Sequence, residues 1–166
     1  MNYKPLLLSA PPTALLTTVD WRTIVKLQIR LEDEHPETSW IHLRGTKMRT
    51  VTGFFNEIAA AFQFPVWFGE NWDAFIDIVR DRSWLSGTIV TVYDANLLLI
   101  DATGKDRANL ADVLNLCNRY GEDTYATIET DLNDEDGFHL LCSVSEEEKG
   151  EFLARWKQTT LTLADL

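Results

Sequence analysis

Residues 64–84 read FPVWFGENWDAFIDIVRDRSW, and this stretch decides how the chain is understood. Trp72, Phe75, Ile76 and Val79 stand at i, i+3, i+4 and i+7, the spacing of one buried helical face. The spacing predicts a short helix over Glu70–Asp81. Away from that apolar face, Glu70, Asp73, Asp77 and Asp81 recur about once per turn. Exposed like charges at this separation repel by a few tenths of a kcal/mol per pair, and only those nearest the helix N-terminus gain from the macrodipole. Carboxylates accept hydrogen bonds and pair well with arginine forks and lysines. An uncompensated acidic stripe therefore fits a surface that reads cations on a partner.

Working outward, Thr50 is placed to cap a helix whose face runs Val51, Phe54, Phe55, Ile58, Ala59 and Phe62, stopped by Pro65. Ser39–Arg44 (SWIHLR) alternates and ends at Gly45, a strand and turn. Ile89–Tyr93 (IVTVY) is a β-rich run suited to a central strand. Leu97–Ile100 suggests a helical turn leading into a helix over Asp106–Arg119, with a Leu110, Val113, Leu114, Cys117 stripe and Gly121 as its cap. Tyr125–Thr130 and Phe138–Val144 are two candidate strands around the polar turn Asp131–Gly137, a connection compatible with antiparallel pairing. Ser145 and Glu148 have capping-box spacing before a last helix with Phe152, Leu153 and Trp156 facing inward. Val19–Leu31 is ambiguous: Leu27, Ile29 and Leu31 alternate as in a strand, whereas Trp21, Ile24 and Val25 permit a helical turn. Met1–Thr18, with Pro5, Pro11 and Pro12, reads as an irregular arm or an edge addition. Strands separated by helices indicate an α/β domain, a small sheet covered by helices.

The chain has 166 residues, 45% apolar and 25% charged, enough for one domain with a real core. Its net charge is -11, and eleven carboxylates against one lysine fall within Glu122–Glu151. Such a field repels phosphate backbones, so no direct nucleic-acid contact is expected, and it attracts a basic protein. No apolar run approaches a bilayer span, and the three-Leu run within Met1–Ser9 is too short for the apolar region of a signal peptide, so a cytoplasmic protein with no membrane contact is expected. Cys117 and Cys142 sit in apolar contexts and read as buried free thiols.

Enzyme chemistry finds no support. Asp73 and Asp77 have glycosidase-like separation, but a helix surface offers neither the buried carboxyl nor the cleft that such chemistry needs. His35, His42 and His139 lack metal-ligand spacing, neither cysteine belongs to a CxxC pair, and the acidic turn at 131–137 lacks the register of a calcium loop. No catalytic residue, metal or cofactor is expected.

The run Trp67, Phe68, Gly69, Glu70, Asn71, Trp72, Asp73, Ala74, Phe75, Ile76, Asp77 closely resembles the signature of the barstar family of ribonuclease inhibitors: an aromatic pair, Gly-Glu-Asn, a hydrophobic residue, Asp-Ala, two hydrophobic residues and a second Asp. The resemblance spans about 100 residues, Ser39 to Val144. It implies a parallel three-stranded sheet covered by helices, here with N- and C-terminal additions, and a role as a non-catalytic inhibitor. Its partner would be a basic ribonuclease or toxin nuclease, blocked at its active site by helix carboxylates. The alternative is a barstar-like binding or immunity module for a non-ribonuclease partner. By the same resemblance Asp73 and Asp77 take the principal charged contacts and Trp67 replaces a tyrosine that packs on the enzyme. Phe68, Glu70, Asn71, Asp81 and Trp84 join them in the partner-binding set. Tyr93 falls on the family's strand-end aromatic. A family glutamate late in the helix before the last strand is replaced by Leu116, so by the resemblance that contact is either absent or supplied by Glu122 or Asp123. The implied organisation is an extension over 1–36, the barstar-like domain over 37–145 and a C-terminal helix over 146–166 packed on it. The additions are free to extend the sheet, mediate self-association or serve another partner.

Overall fold

The computed structural model describes residues 14–80, 88–119, 139–161 and 163–165. Five strands form one sheet: β1 (Ala14–Thr17), β2 (Ser39–Arg44), β3 (Thr88–Tyr93), β4 (His139–Ser143) and β5 (Leu163–Asp165). Their order is β2-β3-β4-β1-β5, and every neighbouring pair is parallel. The helices are α1 (Trp21–Glu34), α2 (Val51–Ala61), α3 (Trp72–Arg80), α4 (Gly104–Arg119) and α5 (Glu146–Trp156).

Strand alternation sorts the core into two halves. Val90, Val92, Leu140 and Cys142 point into a large cluster with Phe54, Phe55, Phe75, Leu110, Phe152 and Trp156, residues of α2 to α5. Ile89, Leu141 and Leu15 point the other way and meet Ile24, Leu27 and Leu31 of α1 alone. The expected α/β fold is present, with the sheet two strands wider than the three-stranded core.

Thr50 caps α2 as expected, its Oγ1 accepting from Gly53 N at 3.1 Å. Ser145 caps α5 and donates its hydroxyl proton to Glu148 Oε2 at 2.6 Å, while the other Glu148 oxygen accepts from the Asn96 amide. The full reciprocal box forms instead at α4. There Thr103 Oγ1 accepts from Asp106 N, and the Asp106 carboxylate accepts from Thr103 N.

Three readings are corrected. The alternating strand in Leu27–Leu31 is helix: Asp20 caps α1 by accepting from Thr23 N at 2.8 Å, and the buried set is Ile24, Leu27, Leu31. Ile29, which completed the alternation, is 62% exposed. Leu153 faces outward while Phe152 and Trp156 are buried. Part of the arm, Ala14–Thr17, is neither irregular nor at an edge, because it pairs with β4 on one side and β5 on the other. Phe138–Val144 supplies β4, which pairs in parallel with β3 and β1. Tyr125–Thr130, the turn at 131–137, Gly121, Glu122 and Asp123 lie outside the described residues, as do Asp81 and Trp84.

Candidate functional site

The segment joining α2 to α3 is built to push two apolar side chains out. Helix α2 stops at Phe62, and Gln63 takes a left-handed turn with φ 53°. Phe68 N then donates to Pro65 O at 2.8 Å, closing a turn whose tip is Val66 and Trp67. Phe64 and Phe68 fold inward, their ring centroids 5.0 Å apart, and Phe68 also packs edge-on against Phe55 at 5.8 Å. Val66 is fully exposed and Trp67 is 75% exposed.

Helix α3 begins two residues later than the periodicity predicts. Asn71 is its cap: Oδ1 accepts from Ala74 N at 2.9 Å, and Nδ2 donates back to Gly69 O at 2.9 Å. A Cβ on Gly69 would crowd that amide nitrogen at 2.9 Å, which explains the Gly-x-Asn order. Glu70 sits between them with φ 47°, a left-handed conformation that costs a non-glycine residue roughly 1–2 kcal/mol. Glu70 is exposed but stands off the helix, so the acidic stripe on the described part of α3 is Asp73 and Asp77.

Both aspartates are exposed. Phe75 and Val79 on the other side of α3 are 2% and 4% exposed, and the half-buried Trp72 and Ile76 pack against the same core. The Trp72 ring stacks on Phe54 at 5.6 Å, meets Phe55 edge-on at 5.0 Å and donates its indole N–H to Asp106 Oδ1 at 3.3 Å. The Asp106 carboxyl lies below its ordinary range, chiefly because the Thr103 hydroxyl donates to it.

The result is a helix packed on the core that presents two carboxylates one turn apart, preceded by a protruding Val66–Trp67 tip. Phe68 and Asn71 hold this surface from beneath and at its start. Val66, which the sequence reading leaves out, stands exposed at this tip as an apolar residue in the turn between Pro65 and Trp67. Asp106 was also missed, because its partner Trp72 lies on another helix. Among the described residues no cluster of His, Cys, Asp and Glu could hold a metal ion.

A protein-family model described as Barstar (barnase inhibitor) matches residues 38–143. That region holds β2, α2, α3, β3, α4 and β4; β1, α1, α5 and β5 lie outside it. Among solved structures, the chain is similar to the ORC2 protein of Aeropyrum pernix, determined as ADPNP–ADP complexes, with 11% identity and a TM-score of 0.56. The match covers 99% of this chain and 43% of that one, and it is a likeness of fold alone. Cdc6p from Pyrobaculum aerophilum aligns with 14% identity and a TM-score of 0.43, over 92% of this chain and 38% of that one. The chain thus spans less than half the length of either. No curated protein matches it.

Proposed function

The chain belongs to the barstar family of non-catalytic protein inhibitors, and on that premise we propose that it inhibits a basic ribonuclease by laying Asp73 and Asp77 against cationic groups of the enzyme's active site. The observation that carries this reading is the disposition of α3. Its two aspartates are exposed on the side away from the buried Phe75 and Val79. Ribonucleases gather arginine and lysine where RNA phosphates bind, and two carboxylates one turn apart match such a cluster. The Val66–Trp67 tip adds an apolar anchor beside the charges, the combination found at protein–protein hot spots. The net charge of -11 supports a steered encounter with a basic partner, fast at low salt and slower as salt screens the field.

The test is RNA cleavage by barnase, titrated with this chain, and by any basic ribonuclease that the chain retains from a lysate. Stoichiometric inhibition that disappears in the Asp73→Ala/Asp77→Ala double variant is the expected result. Inhibition that survives the double variant would overturn the carboxylate mechanism. Absence of inhibition of every retained ribonuclease and of barnase would overturn the assignment of target.

A further inference from the structure

Neighbouring strands β1 and β4 send their connections to opposite faces of the sheet. From β1 the chain passes into α1, which covers Leu15, Ile89 and Leu141. From β4 it passes into α5, whose Phe152 and Trp156 lie in the other cluster. Adjacent parallel strands whose connections part in this way open a crevice at their carboxyl ends, the usual place for a ligand in an open α/β sheet. Here the crevice, open to solvent on one side, has a volume of about 640 Å³, within the range of small-molecule sites. Its floor is fixed: Val144 N donates to Thr17 O at 3.1 Å, and Ser143 Oγ donates to Val19 O at 3.2 Å. None of its lining residues belongs to α3 or the Val66–Trp67 tip, and several come from segments outside the family match.

The lining favours a cation. No lysine, arginine or glycine borders the crevice, and where the N-termini of α1 and α5 open onto it the Thr23 and Glu148 backbone N–H groups are already taken by the Asp20 and Ser145 caps. Three carboxylates do border it: Asp20, Asp94 and Glu148. Asp20 stays ionised because the Thr23 backbone N–H holds its carboxyl below the ordinary range. Asp94 is exposed and presented by a left-handed backbone with φ 51°. The remaining walls are aromatic and aliphatic. His42 and Tyr93 stack with centroids 5.5 Å apart, and burial keeps the His42 imidazole below its usual value, favouring the uncharged ring. Trp21 is 54% exposed at the rim and already takes one cation, the Arg22 guanidinium, 4.7 Å from its centroid.

From the crevice, its switch-point position and its aromatic and acidic walls together, we propose that this site binds a small organic ammonium ion with an apolar or aromatic body. The ammonium group pairs with the exposed Asp94, and the body packs between Trp21, Tyr93 and Val25. This site is independent of the α3 surface.

Tryptamine is the probe, titrated into the full 15N-labelled chain, with 3-indolepropionate as the ligand of similar body and opposite charge. Saturable amide shifts are expected at Thr18–Trp21, Asp94 and Val144–Ser145 and not at Asp73–Val79, with 3-indolepropionate at least tenfold weaker. Asp94→Asn should weaken tryptamine by about tenfold, the worth of one charge-assisted contact, and Trp21→Ala several-fold. The spectra of both variants report their folding. Non-saturating shifts, equal binding of the two probes, shifts centred on α3, or unchanged binding by a folded Asp94→Asn would each overturn the proposal.

Discussion

Trp72 and Asp106 join the helix that carries the exposed aspartates to the first turn of the next, the indole N–H donating to Oδ1 at 3.3 Å. The same carboxylate closes the cap of α4 with Thr103. Removing it should therefore act on both helices. Asp106→Ala is expected to cost about 1.5–3 kcal/mol, a lost cap plus a lost acceptor. Urea melts give the loss, and exchange of the Trp72 indole proton should quicken in the variant. An unchanged indole exchange rate would mean that the Trp72 contact does not restrain α3.

Asp73 and Asp77 should separate binding from folding. Each is exposed, so Asp73→Ala and Asp77→Ala should each change stability by about 0.5 kcal/mol or less. Asp73, in the first turn, should lose slightly more because it interacts favourably with the helix N-terminus. Against a retained ribonuclease each should cost roughly 2–5 kcal/mol of affinity, since a buried cation is left unpaired. Trp72→Ala should behave oppositely, losing about 3 kcal/mol of stability for a partly buried aromatic. Calorimetric titration beside urea melts distinguishes the two patterns.

Glu57 offers a pH signature. The residue is 8% exposed and its carboxylate receives three donors from Arg44: Nε at 2.7 Å, Nη2 at 2.8 Å and the backbone N at 3.1 Å. The side-chain bond from Arg44 is the main cause holding its pKa below the ordinary 4.5. A carboxyl depressed in the folded state contributes stability above its unfolded value and loses it as pH falls through the folded one. Glu57→Gln should thus cost about 1–3 kcal/mol near pH 7. That difference should hold down to about pH 6 and shrink as the pH falls below 4.5. A difference independent of pH would show that packing, not ionisation, makes Glu57 matter.

Two glycines should respond with opposite signs. A Cβ on Gly45 would collide with the Asp94 carbonyl where the ends of β2 and β3 meet. Backbone cannot yield there as a side chain would, so Gly45→Ala should cost about 3 kcal/mol or more. Gly150 lies within α5 with nothing near its missing side chain. Gly150→Ala should therefore stabilise by about 0.5–1 kcal/mol. Thermal melts of the two variants decide both.

Legibility followed how much of each element is specified locally. Helix α2 was readable because its cap and its apolar face occur together in one short stretch, Thr50 to Ile58. The exposure of Asp73 and Asp77 is readable for the same reason, since the apolar face of α3 leaves them on the other side. Helix α1 was not, because Ile29 breaks the helical face and mimics alternation with Leu27 and Leu31. Strand β1 is four residues, all buried, so it carries no period-two signal. Strand β5 is three residues and exists through pairing with β1. Spacing assigns Glu70 to α3, yet the Asn71 side chain is the cap and Glu70 lies before it in a left-handed conformation.

The pairing of β1 also sets the order in which the molecule can assemble. Ala14 lies opposite Leu140 and Leu163, so an early strand waits for two late ones. The β2–α2–α3–β3 stretch closes shorter loops and can collapse first, while β1 must hold its place across most of the chain. On a ribosome the early strand would emerge long before either neighbour exists. Insertion of β1 between β4 and β5 is then a late, slow event, and a nascent chain exposes its apolar Ala14–Leu16 segment until that event is complete.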